Sequence, residues 1–255
     1  MPLHTAIFLF IAGALGGALN AVAGGGSFIS FPALLFTGVP PIPANATNTV
    51  ALWVGTTASS GAYRKHFDIS RRVLVPLAVT SVIGGIAGAL LLLRTPAHTF
   101  LHVLPWLMLG ATLLFAFGGR LSRGVSSAVA HDASTSAIAF AALFELVVAV
   151  YGGYFGGGVG IMNLAMLAAI GMTDIHAMNA LKVVLAGIIN AMAVITFIVA
   201  GAVAWKPGIV MIAGAIIGGY FGAHYAQKLP QAWIRAFVIA VGTGMTIYFF
   251  WEAYH

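Results

Sequence analysis

Residues 5–37 read TAIFLFIAGALGGALNAVAGGGSFISFPALLFT. The run holds no charged side chain, and its clearest interruption is Gly24-Gly25-Gly26. A membrane crossing needs about 20 apolar residues, so this run is too long for one straight span. A second long run, 135–171, carries Gly156-Gly157-Gly158 at the corresponding place. Three consecutive glycines destabilise a helix, so each run is expected to break there. Six further apolar segments surround them, at 44–63, 73–93, 99–118, 174–203, 207–227 and 232–252. The sequence therefore predicts an all-α membrane protein of about eight transmembrane segments in two homologous halves, with a Gly-broken first segment in each half.

Composition agrees. Of 255 residues, 61% are hydrophobic and only 6% charged, against about 25% charged in soluble domains. That excludes a soluble enzyme, a disordered chain and a nucleic-acid-binding domain. The net charge of +6 comes from 11 Lys and Arg against 5 Asp and Glu. These bases are scattered through loops, as topology signals are, rather than gathered into a phosphate-binding patch. The chain has no cysteine, hence no disulfide or thiolate metal site. Met1 to His4 lacks the basic start of a cleaved signal, so the first run is expected to be retained.

The halves match in order. Ile83-Gly84-Gly85 with Gly88-Ala89 recurs as Ile217-Gly218-Gly219 with Gly222-Ala223, an offset of 134. Gly24-Gly25-Gly26 falls on Gly156-Gly157-Gly158 at 132, and Gly38, Ile42 and Ala44 fall on Gly171, Ile175 and Ala177 at 133. The division is a first membrane repeat over 1–118, a cytoplasmic linker over 119–134 and a second membrane repeat over 135–255. Paired halves with broken segments are the outline of a secondary transporter. Unwound backbone is tolerated in a membrane only where it faces protein or a polar cavity, so the breaks are expected inside the bundle. Half-helix N-termini there would suit an anion. The Ile83–Ala89 and Ile217–Ala223 glycines read instead as close-packing residues.

If each long run crosses once, the halves are parallel; if each folds back, they are inverted. The basic residues fall seven against three in the first case and eight against two in the second. Both satisfy the positive-inside rule, and both put 64–72 and the central linker in the cytoplasm.

Ala23-Gly24-Gly25-Gly26-Ser27, Pro32, Gly38, Pro40-Pro41 and Ala44-Asn45-Ala46-Thr47-Asn48 together resemble the first signature of the TauE/SafE family. These are the sulfite exporter-like proteins, also called the 4-toluene sulfonate uptake permease family. Tyr151-Gly152-Gly153-Tyr154-Phe155-Gly156-Gly157-Gly158 resembles the second signature, and Met178-Asn179-Ala180-Leu181-Lys182 a stretch that follows it. The resemblance covers essentially the whole chain. It implies a multi-pass transporter of the bacterial inner (cell) membrane and a cargo among sulfur-containing anions. Asn20 departs from the pattern, standing where many members are expected to carry an acid.

Lys182 is the first candidate for chemistry. Eight residues past Asp174, it would lie about 12 Å along its helix, well inside the hydrocarbon. A lysine there costs about 2.5–3.5 kcal/mol, so it reads either as a fixed charge for an anion or as a snorkelling side chain. Glu145, the acid well inside an apolar run, would pair with Lys182, carry a coupling proton or lie near an interface. Asn45, Thr47 and Asn48 would cap a helix or donate to oxyanion oxygens. Ser27 follows the first break. Asn163, Asn179 and Asn190 read individually as interhelical hydrogen-bonding groups, Asn179 also as a substrate contact. The substrate-binding set is thus Gly24, Gly25, Gly26, Ser27, Asn45, Thr47, Asn48, Gly156, Gly157, Gly158, Asn179 and Lys182.

No P-loop is present, so transport would follow a gradient or be coupled to an ion. No metal or cofactor is called for, and the expected partners are a small anion and the lipid bilayer, with no nucleic acid. An anion channel without alternating access is the alternative. An intramembrane hydrolase would have to use Ser59-Ser60-Gly61 and His224, which lack an orienting acid.

Overall fold

The first helix ends where the glycine run begins. The computed structural model describes residues 1–59, 70–121, 135–170, 172, 175–225 and 231–255. Gly24 takes φ 79°, and its N–H closes back on the Leu19 and Asn20 carbonyls. This left-handed ending is open to glycine at little steric cost. Gly156 (φ 85°) and Gly158 (φ 82°) interrupt the second long run in the same way.

Each long run accordingly becomes two helices. The described residues form α1 (Leu3–Ala23), α2 (Ser27–Phe36), α3 (Pro41–Ser59), α4 (Arg71–Arg94) and α5 (Ala97–Leu121). Then come α6 (Thr135–Tyr154), α7 (Val159–Ala169), α8 (Ile175–Val199), α9 (Trp205–Tyr225) and α10 (Gln231–Tyr254). Ten helices thus stand where eight segments were expected. Among the described residues, six stretches are long and apolar enough to cross a membrane, in α1, α4, α5, α6, α8 and α10. At 1.5 Å per residue, α2 and α7 reach only about 15–17 Å, near half of a hydrocarbon core of about 30 Å.

Glycine sets how closely the long helices approach. Gly13 meets Met211 and Gly17 meets Ala215, while Gly214, Gly218 and Gly222 meet Phe10, Ala14 and Ala18. The numbers rise together, so α1 and α9 run parallel. A Cβ on Gly218 would collide with the Ala14 carbonyl, so this contact is backbone against backbone. α4 and α6 are also parallel, with Gly84 against Ala149 and Gly88 against Val150 and Tyr154. α3 follows α9, with Thr47 beside Gly208 and Gly55 beside Ala215 and Gly219. α5 and α10 run antiparallel: Tyr254 Oη donates to the His102 carbonyl at one end, and Arg235 holds the Phe115 and Ala116 carbonyls at the other.

After its break the chain doubles back. Gly26 returns to the level of Gly16, and Ser30 also packs at Gly16, so α2 lies along α1. Phe28, Phe31 and Leu34 of α2 are buried, so this half-length helix is inside the bundle. The outer surface is apolar: Phe8, Val79, Leu143, Ile209 and Ile247 are all exposed. So are Trp205, Trp233 and Trp251 near helix ends, the placement of interfacial aromatic belts, and Trp106 within α5. Such a surface is compatible with hydrocarbon and not with water.

Candidate functional site

At the first break, Gly26 has no room for a side chain, because the Gly16 carbonyl and Asn20 Cβ occupy the space. Gly25 is buried between Val238 of α10 and the Phe115 ring of α5, whereas Gly24 faces open space. Asn48 on α3 ties α2 down: its Nδ2 donates to Ser27 Oγ at 3.1 Å, and its Oδ1 accepts from Ser30 Oγ. Ser30 also donates to the Gly26 carbonyl at 2.9 Å. Ser27, Ser30 and Asn48 therefore form one polar cluster at the start of α2. Asn20, where an acid was expected, donates to Thr56 Oγ1 at 2.7 Å.

At the second break, Tyr151 Oη donates to the Gly157 carbonyl at 2.6 Å, serving unwound backbone. Asn45 Nδ2 donates to the carbonyl of Tyr154, the last residue of α6, at 2.9 Å. Asn45 Oδ1 is buried without a partner among the described residues. Thr47 accepts from the Ala204 N–H at 2.9 Å, just before α9 begins. Asn45 and Thr47 thus serve backbone, but of α6 and α9 rather than of their own helix.

Lys182 lies two residues from the break in space. Its Cδ and Cγ would be 3.3 and 3.6 Å from a Cβ on Gly160, so its stem packs in the first turn of α7. The side chain is half-buried, and Nζ donates to Asn179 Oδ1 at 3.0 Å. Among the described residues no carboxylate pairs with it. Glu145 is fully buried elsewhere, in the α4–α6 contact, where Oε1 accepts from Ser81 Oγ at 2.6 Å and Oε2 has no partner among the described residues.

The two breaks meet the same stretch of α5. Gly25 lies against Phe115, and Gly157 and Gly158 lie against Ala111. These α5 residues are one turn apart, about 6 Å of rise. Aromatic rings fill the space between the breaks: Phe31 of α2 packs edge-on against Phe155 at 6.5 Å and Phe100 at 6.1 Å, and tilted against Phe249 at 6.2 Å. The fold therefore brings Gly24–Ser27, Asn45, Asn48 and Gly156–Gly158 into one neighbourhood, with Lys182 and Asn179 on its α7 side. Glu145 is held at a separate contact.

Ser30, Tyr151 and Arg235 were not among the candidate site residues. Ser30 stands three residues after Ser27, a spacing that puts both on one helical face and could have signalled it. Arg235 gave no signal, since its acceptors are carbonyls on another helix. Ser60, Gly61, Arg64, Lys65, Arg123, Asp174 and Lys228 lie outside the described residues.

The family model for the sulfite exporter TauE/SafE proteins matches residues 9–249. The chain belongs to the TauE/SafE family. A probable membrane transporter protein of Haemophilus influenzae is 30% identical over 239 residues, 93% of this chain and 91% of that protein. A probable membrane transporter protein of Sinorhizobium, ORF9, is 28% identical over 250 residues, covering 97% and 93%. The Escherichia coli K12 probable membrane transporter protein YfcA is 28% identical over 248 residues, covering 96% and 89%. No solved structure matches the chain. The chain is a transmembrane protein of a transporter family, and its exposed apolar helices fit that setting.

Proposed function

We propose that the protein is a secondary transporter of a small sulfur-containing anion, such as sulfite or an organosulfonate, in the bacterial inner membrane. The observation that carries this reading is Lys182. It is a half-buried cation in an apolar helix, packed on the first turn of α7, with an amide as its polar partner. An intramembrane charge is costly unless a partner or polar cavity receives it. The first-turn N–H groups of a helix have no intrahelical acceptor and carry partial positive charge. Cation and N–H groups together ask for an anion. Ser27 and Asn48 supply further donors at the other break, so Gly24–Ser27, Asn45, Thr47, Asn48, Gly156–Gly158, Asn179 and Lys182 form the proposed cargo region. Within it Thr47 acts by fixing α3 to α9.

Inverted halves are the topology we favour. α1 runs parallel to α9, and a short turn joins α8 to α9. Met166 and Met172 late in and after α7, and Met178 and Leu181 early in α8, share a buried cluster with Ile138 and Ala141 at the start of α6, while Ile189 meets Gly152 near its end. So α7 folds back, α8 runs with α6 and α6 opposes α1. Membrane repeats of opposite orientation support alternating access by rocking around a central site. The Phe31–Phe155 contact between the breaks would then be a barrier that must part. Glu145 is assigned to coupling rather than to neutralising Lys182, because its partner is Ser81.

The test is flux of sulfite, sulfoacetate, taurine, sulfate and chloride in reconstituted vesicles, with Lys182→Met beside the unaltered protein. Saturable flux of one sulfur oxyanion with counterflow, reduced at least tenfold by the substitution, is expected. Equal flux in both proteins removes Lys182 from the site, and flux without saturation or counterflow favours a channel.

A further inference from the structure

Asn163 is fully buried on α7, and neither Oδ1 nor Nδ2 has a hydrogen-bond partner among the described residues. It stands three residues after Gly160, so the two share a helical face, and Gly160 is where the Lys182 stem packs. The other buried amides behave differently. Asn48 is satisfied by Ser27 and Ser30, and Asn45 reaches the Tyr154 carbonyl. Protein interiors leave few polar side-chain atoms unpaired, and a side chain with every group unpaired contributes nothing to packing that leucine would not. A group kept polar at this cost serves something other than the resting fold.

An amide offers two donors on nitrogen and an acceptor on oxygen. With the Lys182 stem one turn away at Gly160, the complementary solute has an anionic oxygen for Lys182 and Nδ2, and a hydrogen to donate to Oδ1. We infer that Asn163 contacts the cargo and selects small sulfur oxyanions that carry their own O–H or N–H donor over those that only accept. This rests on the reading of Lys182 as the anion-binding charge. A sulfonate without a donor would leave Oδ1 unpaired in the bound state, and leaving a buried polar group unpaired is what lets a site reject an analogue.

The experiment compares ethanesulfonate with 2-hydroxyethanesulfonate, which share the anionic group and the two-carbon chain and differ in the hydroxyl. Binding is read from competition and from ligand-induced thermal stabilisation of the purified protein. The unaltered protein is expected to bind the hydroxylated sulfonate at least tenfold more tightly. Asn163→Leu is expected to bind the two alike while melting no lower than the unaltered protein without ligand. Asn163→Ala, which removes the amide without adding bulk, should also erase the preference and provides the result if the leucine variant does not fold. Preference retained in the variants, or absent from the unaltered protein, overturns the inference and leaves the Lys182 site standing. Binding unchanged by Lys182→Met, or no binding of either sulfonate, overturns both.

Discussion

Lys182 and Glu145 are the two charges that apolar helices carry deepest, and they do different things. Lys182 rests on α7 with Asn179 as partner, whereas Glu145 sits between α4 and α6 with Ser81. Neither pairs with the other, so replacing one does not strand the other as a buried unpaired ion. Glu145→Gln keeps an oxygen for Ser81 and a side chain of the same shape. We expect it to fold with an unchanged melting temperature and to lose the dependence of flux on a proton gradient; flux that still responds to the gradient would move coupling elsewhere. Lys182 was legible in the sequence because charge in an apolar run needs a reason. Ser81 was not, since one hydroxyl in an apolar helix is ordinary until its partner is known.

Helices α1, α9, α4 and α6 are held by glycine contacts rather than by interdigitated large side chains. Lipid gives no hydrophobic force between helices, so close backbone approach and dispersion must supply it. Gly88 is such a point, because a Cβ there meets the Val150 carbonyl and the Tyr154 N–H. Gly88→Leu should destabilise by about 1–3 kcal/mol or more, the range for overpacking, read as a fall in melting temperature in detergent. Gly110→Leu, at a position with no atom within 4 Å of a Cβ, should leave it unchanged. A fall of equal size in both variants would remove packing as the cause. The spacing of Gly84, Gly85 and Gly88 was visible in the chain, and its reading as packing agrees with these contacts. Which helix they meet was not, because a small-residue pattern does not name its partner.

At the scale of the molecule, the folded-back α2 and α7 govern which side each end of the chain occupies. If each half returns after its break, both termini lie opposite the central linker, outside the cytoplasm. The natural absence of cysteine makes this direct to measure. His4→Cys and His255→Cys should react with a membrane-impermeant maleimide added outside cells, and Ser122→Cys only after permeabilisation. Both termini protected until permeabilisation, on the side of the linker, would favour parallel halves. The chain by itself determined membrane residence, the positions of the two breaks and the lysine inside an apolar run, because composition, consecutive glycines and an isolated charge act locally through solvation and backbone entropy. Only the tertiary structure decided that α2 turns back along α1, that both breaks meet α5 at Phe115 and Ala111, and that Asn163 is buried without a partner among the described residues. Those facts depend on which distant surfaces fill the same space, and no run of residues carries that information in its own order.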